Sequence, residues 1–109
     1  ALVAPATVYT GGQVDRAAQA DTTAPMEVYY PDSLKAARIG GNVVVEFVVD
    51  TAGNVETETI GVVLATHPRF AEAARNAVWH ARFHPAILKG RPVRQVVQLP
   101  IGFEVAGAR

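Results

Sequence analysis

The residues Gly40 to Val63 read GGNVVVEFVVDTAGNVETETIGVV and contain the clearest strand pattern of the chain. From Val43 to Val49, apolar side chains recur at every second position, so they share one face of an extended strand. On the second face, only Glu46 interrupts the apolar side chains. A strand that is apolar on both faces is typical of the middle of a sheet, and we predict that residues 42–50 form the central strand.

The residues that follow this strand, Asp50 to Asn54, are typical of a turn. An aspartate can accept hydrogen bonds from nearby main-chain groups, and Gly53 can adopt a positive φ. We therefore predict a hairpin whose return strand runs from Val55 to Val63.

The apolar side chains of the return strand do not keep a single alternation. Val55 is odd-numbered, whereas Ile60 and Val62 are even-numbered. A slip of one residue moves the apolar set to the other face of a strand, and a β-bulge produces this pattern. We therefore predict a bulge within the return strand.

A short helix is predicted before the central strand, over residues 31–39. Proline, here in Tyr30-Pro31, is favoured at the first helical position, and Asp32 suits the positive end of the helix dipole. Leu34, Ala37 and Arg38 share one face of this helix, and Gly40-Gly41 is expected to end it. A helix of about two turns depends on packing for its stability.

A second helix is predicted over residues 68–82, because Thr66-His67-Pro68 is a typical helix start and Pro85 cannot continue a helix. Its apolar side chains recur at helical spacing: Phe70, Ala73, Ala74, Ala77, Val78 and Ala81. Trp79 lies opposite Phe70 on the helix and should point away from the core. We expect the N-terminal tail to cover this ring; the alternatives are a partner, or a helix that ends early so that the ring turns back.

The last strand follows a turn at residues 89–92 and runs from Val93 to Val105, with an apolar odd-numbered face. Pro100 has no N–H for a ladder, which predicts an edge strand with Pro100 turned outward. By alternation, the outward main-chain groups also include those of Arg94, Val96, Gln98 and Gly102. The predicted fold is a two-layer α+β domain, in which two helices cover one face of a three-stranded antiparallel sheet.

The length of 109 residues, 50% of them hydrophobic, predicts one small globular domain. The chain has no cysteine, which excludes disulfides and thiolate sites. Net charge is zero, but residues 1–66 carry −5 and residues 67–109 carry +5. No basic run of a nucleic-acid binder is present. The chain begins at Ala1 without a signal-peptide pattern, so we expect an excised domain whose membrane anchor would lie outside it.

The residues that could carry chemistry form no complete site. His80 and His84 have the spacing of a metal pair on a helix, but a zinc site needs three or four ligands. Ser33 has no neighbouring histidine and fits the first helical turn. The acidic residues of the hairpin fit a turn and a solvated strand face better than a calcium loop or an acid pair: Asp50, Glu46, Glu56 and Glu58. We predict no enzymatic activity, no metal and no cofactor.

Six short motifs follow one another in the chain: Tyr30-Pro31, Gly41-x-Val43-x-Val45-x-Phe47, Asp50-x-x-Gly53-x-Val55, Arg82-Phe83-x-Pro85-Ala86, Gly90-Arg91-Pro92-Val93 and Leu99-Pro100-Ile101-x-Phe103. Their order and spacing resemble the C-terminal domain of TonB-type energy transducers. The resemblance covers residues 26–106, which leaves 1–25 as a tail or accessory strand and 107–109 as a C-terminal tail. Well-studied members of the family carry Gln-Pro just before the Tyr-Pro motif, where this chain has Glu27-Val28, and many carry a tryptophan at the position of Ala81.

The resemblance implies a periplasmic domain, tethered to the inner membrane by a segment outside this chain. Such a domain binds the TonB box peptide of outer-membrane transporters as an added strand and transmits inner-membrane energy; a proton-channel complex would engage parts outside the chain. The partner-binding residues expected here are Arg94, Val96, Gln98, Pro100, Glu27 and Tyr29. Val96 and Gln98 should supply most of the hydrogen bonds, because Pro100 ends the ladder. The alternative is a TonB-like interaction or dimerisation domain of a sensor or other envelope protein, which would pair through its edge strands.

Overall fold

The fold of this computed structural model, which describes residues 7–24 and 26–105, is a two-layer α+β arrangement, as predicted. The elements in chain order are a 3-10 turn at Gly11–Gln13, β1 at Gln19–Ala20, α1 at Asp32–Ala36, β2 at Gly41–Val49, β3 at Val55–Ala65, α2 at Pro68–Trp79, β4 at Phe83–His84, β5 at Ala86–Leu88, β6 at Arg91–Val93 and β7 at Gln95–Phe103. The central sheet has three antiparallel strands in the order β3-β2-β7.

Strand β2 lies at the centre of the sheet, which confirms the prediction from its two apolar faces. On the face towards the helices, its side chains are fully buried: Val43, Val45, Phe47 and Val49. On the other face, Val48 is also buried, whereas Glu46 is partly exposed. Burial of this continuous apolar row is the main contribution of β2 to stability.

The pairing of β2 with β3 is irregular, as the parity slip predicted. The register shifts twice, once between Val44 and Val45 and once between Glu46 and Val48. At the second shift, the side chain of Thr59 replaces a missing ladder partner. The N–H of Val48 donates to Thr59 Oγ1 at 2.9 Å, and the Thr59 hydroxyl donates to the Glu56 carbonyl at 2.6 Å.

The predicted turn between β2 and β3 is formed by the expected residues. Asp50 Oδ1 accepts the N–H groups of Ala52 and Asn54, each at 2.9 Å. Gly53 has φ 87°, and a Cβ at this position would lie 2.1 Å from the carbonyl oxygen of Phe83. Glycine is therefore required here both by the backbone conformation and by the close approach of Phe83.

Helix α1 ends earlier than predicted, and the glycines do not end it. Its last helical residue is Ala36, and Arg38 adopts the positive φ of 58° that closes the helix. The Arg38 N–H donates to the Lys35 carbonyl and the Ile39 N–H to the Leu34 carbonyl, which is the Schellman pattern.

The two glycines that follow α1 serve close packing instead. A Cβ at Gly40 would lie 2.8 Å from the carbonyl oxygen of Phe103. One at Gly41 would lie 2.0 Å from Thr66 Oγ1 and 2.8 Å from the ring of Phe70. The chain can therefore approach the end of β7 at Gly40 and the start of α2 at Gly41 only because these residues lack side chains.

Helix α2 ends at Trp79, three residues before the predicted end at residue 82. The His67 side chain caps its start by accepting the Arg69 N–H at 3.1 Å. After the helix, the chain is extended, and the Phe83 N–H donates to the Gly53 carbonyl at 2.9 Å. This long-range hydrogen bond, and not Pro85, accompanies the change from helix to strand.

A second hairpin, formed by β5 and β6, was not predicted. Leu88 pairs with Arg91, so Lys89 and Gly90 form a two-residue turn with φ values of 52° and 77°. Two positive φ values are typical of the type I′ turn. Val93 therefore belongs to β6, and β7 begins at Gln95.

Aromatic rings fill the core where α1, α2 and β7 meet. Phe70 stacks on Phe103 with ring centroids 4.3 Å apart, and Tyr30 contacts both rings edge-on. The Tyr30 hydroxyl also donates to the Ile39 carbonyl. The short helix α1 is thus held by tertiary packing through Tyr30 and Leu34, as its length requires.

Candidate functional site

Strand β7 forms one outer edge of the three-stranded sheet. Two hydrogen bonds identify which of its main-chain groups face outward: the Tyr9 N–H donates to the Arg94 carbonyl at 3.0 Å, and the Val96 N–H donates to the Tyr9 carbonyl at 2.9 Å. By alternation, the main-chain groups of Gln98, Pro100 and Gly102 face the same edge. The odd-numbered residues pair with β2 in an unbroken register.

Side chains beside the outward groups lie on the sheet face away from the helices. Gln98 is exposed, and its Nε2 donates to Glu46 Oε2 on the neighbouring strand at 2.9 Å. Pro100 is also exposed. Because Pro100 lacks an N–H, the edge offers acceptors but no donor at this position.

Arg94 is held by an ion pair and does not extend freely along the edge. Its Nε donates to Glu56 Oε2 at 2.6 Å and its Nη2 to Glu56 Oε1 at 2.7 Å. These hydrogen bonds to a carboxylate raise the pKa of Arg94. Glu56 compensates the charge of Arg94, so the exposed Arg91 is the better candidate for long-range steering of an acidic partner.

Gln95 is a site residue that the sequence analysis missed. Its side chain is buried on the odd-numbered face, where Oε1 accepts the Ala18 N–H at 2.7 Å. Its Nε2 donates to the Val96 carbonyl at 3.2 Å. The signal was available, because Gln95 is a polar residue in the otherwise apolar alternation of the last strand.

Residues 9–21, here called the N-terminal strap, run along the start of β7 and the β5–β6 hairpin. Ile87 exchanges main-chain hydrogen bonds with Arg16, and the Lys89 N–H donates to Asp15 Oδ2 at 2.8 Å. Strand β1 pairs with β4. At the end of the strap, hydrogen bonds from Thr23 lower the pKa of Asp21, whose carboxylate lies 3.9 Å from His84 Nε2.

Within residues 7–24 the N-terminal tail does not cover Trp79, so the expectation is wrong for this part of the tail; residues 1–6 lie outside the described residues. The described N-terminal residues pair with β4, β5 and β7, and 55% of the Trp79 surface is exposed. The prediction that this ring points away from the core is confirmed. The strap lies elsewhere than expected because it contacts the second hairpin, which was not predicted from the sequence.

Glu27 and Tyr29 lie on the outer side of an extended segment. Met26, Val28 and Tyr30 alternate with them and pack on the core. The Tyr29 hydroxyl donates to the Glu27 carboxylate, and this hydrogen bond raises the pKa of Tyr29. Tyr29 is 72% exposed and lines an open cavity of about 780 Å³ between this segment, α1 and α2.

The two histidines whose spacing suggested a metal pair, His80 and His84, make different contacts. His80 Nδ1 is 3.1 Å from the Asn76 carbonyl oxygen, and His84 faces Asp21. Within residues 7–24 and 26–105, no three histidine, cysteine or acidic side chains are placed to share a metal ion. Over the same residues, no helix has the length and hydropathy needed to cross a membrane.

Within the described residues, the outer edge of β7 beyond Val96 has no main-chain partner, and an unpaired sheet edge can accept a further strand. The profile of the family described as Gram-negative bacterial TonB protein C-terminal matches residues 26–105, and the chain belongs to this family. No curated protein sequence matches the chain.

Two solved structures are similar in fold. One is the solution NMR structure of the Pseudomonas aeruginosa TonB C-terminal domain, with a TM-score of 0.68 and 25% identity over 87% of this chain and 93% of that chain. The other comes from the molecular characterisation of the TonB2 protein of Vibrio anguillarum, with a TM-score of 0.62 and 25% identity over 97% of this chain and 96% of that chain.

Proposed function

We propose that this domain binds an extended peptide of a TonB-dependent outer-membrane transporter as a strand added to the outer edge of β7. It would do so in the periplasm, as part of an energy transducer tethered to the inner membrane by a segment outside this chain. Family membership supports the class of partner. That the peptide binds as an added strand is our inference from the outward main-chain groups of β7.

The observation that carries this proposal is the outward edge from Gln98 to Gly102. The register between β7 and β2 has no shift over nine residue pairs, so β7 presents its outward groups at regular spacing. The N–H and C=O of Gln98 lie on this edge with the carbonyl of Pro100. A peptide strand could satisfy them with its own main chain, which provides affinity with little dependence on sequence.

Titration with synthetic peptides tests the proposal. The peptides would carry the N-terminal segments of TonB-dependent transporters from the same organism, and amide chemical shifts of the domain would report binding. We expect the largest shifts at Gln98 and Gly102, with smaller ones along β3. Peptide-induced shifts confined to α2 or β3 would contradict the assignment to β7.

A pair of variants at one position separates main-chain from side-chain recognition. Gln98→Pro removes the outward N–H, so we expect at least about tenfold weaker peptide binding with the fold retained. Gln98→Ala keeps the N–H and loses only the hydrogen bond to Glu46. It should bind peptide like the parent. Equal affinity of the Gln98→Pro variant and the parent would reject strand addition at this edge.

A second candidate function is dimerisation through edge strands, in an envelope protein with another partner. Its support is the other sheet edge, where Val63 and Leu64 of β3 are 57% and 52% exposed. Exposed apolar residues on an edge strand favour strand pairing between copies. Sedimentation at several protein concentrations tests this: a dimer that Leu64→Lys converts to monomer would favour it, and a monomer at all concentrations would reject it.

A further inference from the structure

The outer edge of β7 is divided into an occupied part and an open part. Tyr9 bonds to Arg94 and Val96, whereas the described residues provide no main-chain partner for the outward groups of Gln98 and Gly102. We infer that Tyr9 occupies the position of an added strand on β7 and can leave it. A peptide partner must displace Tyr9 to use the whole edge. This inference rests on the proposed function and specifies which part of β7 the partner reaches.

The contacts of Tyr9 are those of an added strand. Tyr9 forms a parallel bridge with Gln95, and its N–H and C=O bond to the residues on either side, Arg94 and Val96. A peptide that adds in parallel to β7 makes the same pair of bonds at each rung. One rung of the proposed binding edge is therefore already occupied within the chain.

The side chain of Gln95 completes the closure of this part of the edge. Its Nε2 donates to the Val96 carbonyl, the acceptor that an added strand would use two residues after the position of Tyr9. Its Oε1 holds the Ala18 N–H at 2.7 Å, so the same amide links the edge to the strap. With Tyr9 and Gln95 in place, the first open donor on the edge is the N–H of Gln98.

The two ends of the strap differ in how firmly they are held. Around residues 15–20, the strap is fixed by its bonds to Ile87, by the Ala18 bond to the buried Gln95 and by the β1–β4 pair. Tyr9 lies beyond the 3-10 turn at Gly11–Gln13 and is held to β7 by two main-chain hydrogen bonds. The Tyr9 end can therefore separate while the rest of the strap stays bound.

Displacement of Tyr9 would give a partner one more donor, in addition to the open N–H groups of Gln98 and Gly102. With Tyr9 bound, Gln98 is the sole donor between Val96 and Gly102 on the outward side, because Pro100 has no N–H. Release of Tyr9 adds the N–H of Val96, two residues away, at the spacing of successive rungs. A peptide that uses the donors of both Val96 and Gln98 binds only open molecules, so its apparent affinity is its intrinsic affinity multiplied by the fraction of molecules that are open.

Amide hydrogen exchange of the unmodified chain tests whether Tyr9 separates readily from β7. We expect the Val96 N–H to be protected between about 3-fold and 30-fold relative to its intrinsic rate, as for a local contact that opens readily. Gln98 should be unprotected, and Val97, which faces β2, should be protected far more. Protection of Val96 equal to that of Gln98, or equal to that of Val97, would overturn the inference.

A proline at position 9 tests whether Tyr9 competes with the peptide for this edge. Tyr9→Pro removes the N–H that donates to Arg94, whereas Val8→Pro is the matched control, because the main-chain groups of Val8 point away from β7 by alternation. We expect Tyr9→Pro to lower Val96 protection and to tighten binding of the transporter peptides by up to the Val96 protection factor of the parent. Val8→Pro should change neither quantity.

The outcomes separate this inference from the proposed function. If the peptides bind the parent and Tyr9→Pro with equal affinity, Tyr9 does not compete and the inference fails while strand addition stands. If no peptide binds any form, the proposed function fails, and Val96 exchange in the parent and in Tyr9→Pro still decides whether Tyr9 can leave β7.

Discussion

Strand β2 pairs with a neighbour on each side, and the two ladders differ in regularity. Towards β7, nine consecutive pairs run from Gly41–Phe103 to Val49–Gln95 without a shift. Towards β3, the register shifts twice, and the Thr59 side chain completes one of the gaps. A bulged edge strand is twisted and poorly suited to further pairing, whereas a regular one can accept another strand. This difference favours β7 as the binding edge and makes β3 the less suitable of the two edges.

The largest expected effect comes from proline on the inner side of β7. Leu99→Pro would remove an N–H that faces β2 within the regular ladder, and proline is not tolerated in the interior of a sheet. We expect this variant to be unfolded at 25 °C in circular-dichroism melts. Gln98→Pro, one residue away on the outer side, should melt close to the parent. If Gln98→Pro also unfolds the domain, the division of β7 into inner and outer groups is wrong.

Truncation of the core ring on β2 should have the next largest effect. Phe47 is fully buried and its ring centroid lies 5.4 Å from that of Phe83. We expect Phe47→Ala to lower the free energy of unfolding by about 3–5 kcal/mol, the usual range for a large buried aromatic residue. Urea unfolding would measure it. A loss below about 1 kcal/mol would show that both ladders depend little on the packing of β2.

The irregular ladder can be tested separately through Thr59. Thr59→Val removes the acceptor of the partly buried Val48 N–H, and an unsatisfied buried donor costs about 1–3 kcal/mol. Thr59→Ser keeps the hydroxyl and should cost less than half as much. Urea unfolding of both variants would compare them. Equal stabilities would mean that the register shift does not need this hydrogen bond.

The smallest expected effect concerns charge beside β7. Association of an acidic peptide should slow severalfold as salt rises from about 0.05 M to 0.5 M, because screening weakens long-range steering. Arg91→Gln should reduce this dependence more than Arg94→Gln, since Glu56 already compensates Arg94. Stopped-flow association rates would measure both. An association rate that does not change with salt would remove any role for the segregated charges of the chain.

Much of the fold could be predicted from local sequence patterns. The alternation in β2 placed it at the centre of the sheet, and Asp50 with Gly53 indicated the turn. Pro100 indicated an edge strand, which β7 is. Each of these predictions depends on side-chain periodicity or on backbone preferences within a few residues, and such preferences are already present in the unfolded chain.

The boundaries of the elements were less predictable, because tertiary contacts set them. Helix α2 ends at Trp79, before the chain turns so that Phe83 bonds with Gly53. Helix α1 ends at Ala36, and Arg38, two residues later, adopts a positive φ that a non-glycine residue rarely adopts. From the sequence, Gly40 and Gly41 were predicted to end helix α1. Their neighbours Phe103, Thr66 and Phe70 show that they are needed for close packing.

The sequence by itself determined the class of fold, the central strand and the outward face of the last strand, since these follow from alternation and from proline chemistry. Only the tertiary structure decided that Tyr9 occupies the start of that face, that Gln95 is buried beneath the strap and that Glu56 holds Arg94. These contacts join residues between 38 and 87 positions apart in the chain. The physical reason is that such pairs meet only after the sheet has formed, so no local preference records them.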